Sequence, residues 1–175
     1  MKSDVIMIDN NENGFKEAIV QTEKTAQYKG MGPKETLHLV LCTEEMLSLV
    51  HSITGDLKAS FWLESGNNEI SLHITTETVM DREKREAFIS SSTKNENDAA
   101  NSFIGRLRDA FEKAMLSDEE FNEDLPYDIL DDLVNRSIEF SEWDKYEQSI
   151  LRRVADEIKI SIVGKKVHMT VFKKL

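Results

Sequence analysis

The amino-acid sequence predicts an α+β protein: a two-layer α/β sandwich in which helices cover a mixed, mostly antiparallel sheet. Three observations carry this expectation. Two pairs of short runs alternate apolar and polar residues, each pair joined by a turn-prone stretch, and read as antiparallel hairpins. Several longer stretches repeat apolar residues at helical spacing. One of these, about residues 34 to 53, is apolar nearly all round and must be covered on several sides.

Val5, Met7 and their neighbours in DVIMID read as a short strand ended by the polar NNENG. Phe15, Ala18, Ile19, Thr22 and Ala26 then mark one face of a helix over about 13 to 28. Gly30, Gly32 and Pro33 break the chain, and Pro33 suits the first turn of the next helix, where its missing N–H would be unpaired anyway. That second helix carries Leu37, Leu39, Val40, Leu41, Cys42, Met46, Leu47, Leu49, Val50 and Ile53.

Ala59, Phe61 and Leu63 alternate, as do Ile70, Leu72 and Ile74, with SGNN between them as a hairpin loop. A short helix over 81 to 90 takes Asp81 as its N-cap. After the polar loop SSSTKNEND, a helix over about 98 to 116 places Ala100, Phe103, Ile104, Leu107, Phe111 and Met115 on one side. A last helix over about 142 to 155 opens with the capping-box-like pair Ser141 and Asp144. The strands of Ile158, Ile160, Ile162 and of Val167, Met169, Val171 follow, turned at Gly164-Lys165. Helices and hairpins segregate along the chain, the order expected of an α+β sandwich.

The 175 residues carry 33 Asp plus Glu against 22 Lys plus Arg, a net charge of -11. Residues 117 to 142 hold -9 of it, with Arg136 their one basic residue. Such an acidic chain repels phosphate backbones, which argues against nucleic acid as a partner. The acidic stretch also contains Leu125, Tyr127, Ile129, Leu130, Leu133 and Val134, so it reads as a partly helical excursion within one domain spanning 1 to 175. The lone Cys42 fits a reducing compartment and excludes an intrachain disulfide. No run approaches the roughly 18 apolar residues of a membrane span, so the expectation is a cytoplasmic protein without membrane contact.

The stretch TAQYKGMGPKETLHLVLCTEEMLSLVHSI, residues 25 to 53, resembles the N-terminal part of anti-sigma-factor serine kinases and other GHKL (histidine kinase-like) ATPases. The hairpin that follows, the loop, the helix start Phe103-Ile104-Gly105-Arg106-Leu107 and the two closing strands ending VHMTVFKKL keep the family order, all but most of 117 to 142. The resemblance implies the histidine kinase-like ATPase topology and a site for ATP and magnesium. In the family a Glu on the second helix polarises a water or hydroxyl, and an Asn four residues later binds the magnesium. Glu44 and Glu45 stand at that box, but Glu45 is followed at this distance by Leu49 and Glu44 by Ser48. Leucine cannot ligate a hard cation, and a neutral serine hydroxyl is a weak substitute.

The family's Asp-x-Gly-x-Gly, which reads adenine, corresponds to the stretch from His73 to Asp81, which has no glycine; Glu77 or Asp81 would have to stand in for its Asp. The glycine-rich phosphate lid is reduced to Gly105, with Lys94 and Arg106 as cations that would meet phosphate. The resemblance therefore implies Glu45 as the catalytic candidate, and Glu44, Ser48, Glu77, Lys94, Gly105 and Arg106 as the nucleotide-binding candidates, with ATP and magnesium disfavoured as cofactors.

Other chemistry is thinner. His38, His51, His73 and His168 share no metal-ligand spacing, so the sequence assigns no metal site. Cys42 sits among apolar residues and reads as a core filler. The acids around Asp118, Glu119, Glu123 and Asp124 lack the glycine and spacing of an EF-hand. Trp62 and Trp143 read as packing residues.

The leading expectation is a regulatory protein-binding module that has lost Mg-ATP catalysis, the acidic segment 117 to 142 offering a surface for a basic partner. The alternative is a working serine kinase or ATPase with Glu45 as base. A third expectation is a structural domain that dimerises through an exposed sheet edge.

Overall fold

The protein is described by a computed structural model, which covers residues 1–11, 13–55, 58–118 and 150–175. The acidic segment lies almost wholly outside these residues, as do the Ser141 and Asp144 pair and Trp143.

Strand β1 (Ile6–Asp9) is followed by helices α1 (Phe15–Tyr28) and α2 (Pro33–Thr54), then by the hairpin β2 (Lys58–Ser65) and β3 (Glu69–Glu77). Helix α3 (Arg82–Ser91), a 3-10 turn (Asp98–Ala100) and α4 (Phe103–Asp118) come next. Residues 150–154 are helical, and β4 (Glu157–Val163) and β5 (Lys166–Lys174) close the chain. The sheet order is β1-β2-β3-β5-β4, and every strand pairing in it is antiparallel. The α+β class is as expected. The mixed character shrinks, among the described residues, to one isolated parallel bridge between Asn97 and Ile160 on the β4 edge.

The local signals explain most boundaries. Pro33 sits in the first turn of α2, and Gly55 at φ 70° ends it in the left-handed conformation that glycine adopts without strain. The Asp81 carboxylate accepts from the Lys84 N–H at 2.8 Å and caps α3 as expected. In β2, β3, β4 and β5 the residues predicted to face inward are buried, Phe61, Leu72, Ile160 and Val171 among them. Each such side chain contributes about 1.5–3 kcal/mol by leaving water. They meet Leu39, Cys42, Met46, Leu47, Leu49 and Val50 of α2, which is the central helix that its sequence requires. Thr22 of α1 and Thr43 of α2 bring buried hydroxyls to 2.9 Å and also bond Ala18 and Leu39 carbonyls, so the polar pair in this contact is satisfied.

Three expectations are corrected. The first strand begins at Ile6, so Val5 lies before it, and Ile8 is its buried residue while Met7 is exposed, because the pairing Ile8↔Ala59 aligns Ile8 with the buried face of β2. On α2, Leu37 is exposed, and full burial of its apolar residues begins at Leu39. On α4, Ile104, Leu107, Phe111 and Met115 are exposed among the described residues, and the opposite face, with Gly105 and Asp109, is the one that packs. A polar network, described below, anchors that face in place of an apolar one.

Candidate functional site

The residues assigned to a nucleotide do not assemble into one cavity. On α2, Glu44 is exposed, and Glu45 and Ser48 are half-buried. Glu77 ends β3 in solvent, opposite Lys166 of β5. Lys94 is exposed and lines a depression of about 30 Å³ with Glu96, Asp98, Asn101, Glu157 and Lys159. A phosphate there would face four acids and amides before it met two lysines. Arg106 is exposed on α4. Gly105 is buried, and a Cβ on it would stand 2.2 Å from the Ala99 carbonyl oxygen. Its missing side chain therefore admits the backbone of the preceding 3-10 turn. The second groove, about 610 Å³ between α3 and α4, is lined by Arg82, Arg85, Asn95 and Lys113, and holds none of the predicted residues.

Behind that groove is the polar centre that sequence reasoning missed. Arg85, 3% exposed, pairs with Asp109 and reaches Glu112 at 3.4 Å. Asp109 also accepts from Asn97 Nδ2 at 2.7 Å and from Lys113 at 2.9 Å. Burial pushes the Asp109 carboxyl up, but the Asn97 and Lys113 hydrogen bonds and the Arg85 charge outweigh it and hold the group below the usual carboxylate range. Asn97 continues to β4: its Nδ2 donates to the Ile162 carbonyl and its Oδ1 accepts from the Ile162 N–H. Glu112 accepts from the Gly164 N–H at 3.1 Å. The Arg85 pairs join α3 to α4, and the Asn97 and Glu112 bonds tie α4 to the β4 edge, so the network positions α4. The only sequence signal was an Asn in a polar loop, which also suits any turn.

A second cluster lies on the sheet face turned away from the buried core. Trp62 of β2 stacks on His73 of β3, with ring centroids 5.0 Å apart and planes 3° from parallel, and on His168 of β5 at 5.6 Å. Burial pushes the His73 imidazole down to about 4 and lowers His168 as well, so both are neutral near pH 7. His73 alternates with the buried Leu72 and Ile74, and His168 with the buried Val167 and Met169, which sets both rings on the outer face. Only the strand register made them neighbours. Trp62 does pack, but on this outer face, with its indole N–H donating to Glu64 at 3.0 Å. Cys42 is buried, and desolvation pushes its thiol up to about 12, the environment of an inert core residue.

Among the described residues no cluster of three or more His, Cys, Asp or Glu is placed to hold a metal ion, and no helix is long and apolar enough to cross a membrane.

No family model and no curated protein matches the sequence. Among solved structures, a chain of the SiaB-SiaC complex from Pseudomonas aeruginosa is similar over 100% of this chain and 89% of its own, with a TM-score of 0.51 and 9% sequence identity. At that identity the likeness is one of fold.

Proposed function

We propose that this protein is a regulatory protein-binding module on a histidine kinase-like ATPase type of framework, without Mg-ATP catalysis. The observation that carries the reading is Gly105. The glycine that would open a phosphate cradle is spent on close packing, its Cβ position lying 2.2 Å from the Ala99 carbonyl oxygen. Around it, the candidate residues are dispersed. Glu44, Lys94 and Arg106 point into solvent from α2, from the loop after α3 and from α4, and Leu49, where the family has its magnesium ligand, is buried in the core. A buried leucine supplies no oxygen to a hard cation.

A partner protein fits this framework. The structural neighbour comes from a two-protein complex, and in this chain most of the net negative charge is concentrated in residues 117 to 142, a complement for a basic surface. Titration calorimetry with ATP and Mg²⁺ tests the loss of catalysis. No magnesium-dependent heat is expected; micromolar, magnesium-dependent binding, with ATP turnover that Glu45→Ala abolishes, would replace this reading with that of a working ATPase.

A further inference from the structure

The outer-face cluster holds a donor arrangement that the regulatory reading does not use. His73 is in register with Trp62 on one side and with Thr170 on the other, and His168 lies two residues before Thr170 on the same strand. The two histidines are thus diagonal cross-strand neighbours, a separation that long and aromatic side chains bridge. His73 Nδ1 stands 3.2 Å from His168 Nε2. Thr170 Oγ1 stands 3.3 Å from the first nitrogen and 3.5 Å from the second. The three atoms form a nearly equilateral triangle. In a tetrahedral zinc site with bonds of roughly 2.0–2.1 Å, two ligand atoms are about 3.3 Å apart.

We propose that His73 Nδ1, His168 Nε2 and Thr170 Oγ1 form an open three-donor site for a divalent late first-row cation, Zn²⁺ being its occupant, with the fourth position left to water or an external ligand.

The surroundings match what a metal-bound imidazole needs. His73 Nε2 lies 2.9 Å from Ser71 Oγ and 3.9 Å from Glu64 Oε2, oxygen partners that favour the hydrogen on Nε2 and leave the Nδ1 lone pair free. The neutral imidazole is the form that ligates. Without metal, one ring donates its N–H to the other across the 3.2 Å gap. With metal, that hydrogen is carried on the far nitrogen of the same ring, both rings stay neutral, and Thr170 coordinates as an intact hydroxyl. No proton leaves the protein. The hydroxyl is a weak ligand, so the affinity expected is micromolar rather than that of a closed structural site. Imidazole donors also rank Cu²⁺ above Zn²⁺, which makes Cu²⁺ a useful probe. The two histidines are 95 residues apart in the chain, which hid the site from spacing arguments.

The test uses the full chain stripped with chelator. Calorimetric titration with Zn²⁺ is expected to show one micromolar site, and Cu²⁺ to quench Trp62 fluorescence with the same stoichiometry. His168→Gln and His73→Gln should each weaken binding more than about a hundredfold and Thr170→Val about tenfold, with urea midpoints recorded for each variant. Trp62→Phe should keep the Zn²⁺ heat while losing the Cu²⁺ quenching. In ¹⁵N spectra, Zn²⁺ should shift His73 Nδ1 and His168 Nε2 selectively. If Zn²⁺ gives no saturable heat, or if both histidine variants bind as the parent does, the site is refuted. Unmoved imidazole nitrogens with Zn²⁺ bound would refute it as well and leave the pair a simple N–H···N hydrogen bond. If one histidine variant fails to fold, the other and the nitrogen shifts still decide.

Discussion

Asn97 and Ile162 bond each other in both directions: the Ile162 N–H donates to Asn97 Oδ1 at 2.9 Å, and Asn97 Nδ2 donates to the Ile162 carbonyl at 3.0 Å. The side-chain amide thereby occupies the edge of β4 as a neighbouring strand would. The same Nδ2 reaches Asp109 of α4, so one amide joins the sheet edge to a helix.

Asn97→Ala is expected to cost about 2–4 kcal/mol, because it leaves the Ile162 groups and the buried Asp109 carboxylate with fewer partners. Asn97→Asp should cost no less, since it loses the Nδ2 donor and sets a second carboxylate beside Asp109. Urea denaturation followed by far-UV circular dichroism measures both. A cost below about 0.5 kcal/mol for either would show that the amide is dispensable.

Gly105→Ala should destabilise the protein by roughly 1–3 kcal/mol, because the added methyl meets backbone rather than a movable side chain. Were Gly105 part of a phosphate cradle, the same substitution would instead leave the urea midpoint near that of the parent and remove nucleotide binding.

Acid should weaken the fold through Asp109. Its folded-state pKa lies below its unfolded value of about 3.9, so its contribution is complete above that value and is lost as pH falls through the folded pKa. Asp156 behaves alike: burial raises its carboxyl, but the Lys174 N–H and the Lys173 ammonium outweigh it and lower the pKa. Urea midpoints should therefore fall with pH below about 4, and less steeply in Asp109→Asn, which starts from a lower midpoint at pH 7.

The two sides of α2 should respond unequally. Leu47 is fully buried, and Leu47→Ala should cost about 2–5 kcal/mol. Leu37 is 64% exposed, and Leu37→Ala should stay within about 0.5 kcal/mol. Equal losses would mean that α2 is seated differently.

The secondary structure was largely legible because its signals are local. Alternation placed β2, β3, β4 and β5, Asp81 announced the start of α3, and Pro33 the start of α2. The apolar girdle of Leu39, Met46, Leu47 and Val50 announced a covered helix. The orientation of α4 was not legible. Its apolar stripe through Ile104, Leu107, Phe111 and Met115 pointed inward by the usual rule, whereas Asp109, paired with Arg85 and Asn97, is what meets the protein. Hydrophobic periodicity reports which face is apolar, and it is silent on a helix whose contact is made by ion pairs and amides.

By itself, then, the sequence determined the α+β class, the central helix, the outward direction of His73 and His168, and the absence of the family's magnesium-binding Asn and adenine-reading glycines. Those follow from residue type and from periods of two and 3.6 along one strand of chain. Only the tertiary structure decided that Gly105 serves packing, that Asn97 completes the β4 edge, and that two histidines 95 residues apart stand 3.2 Å from each other. Each depends on strand register and helix seating, which come from summed contacts between segments far apart in the chain. Local propensity does not encode those contacts.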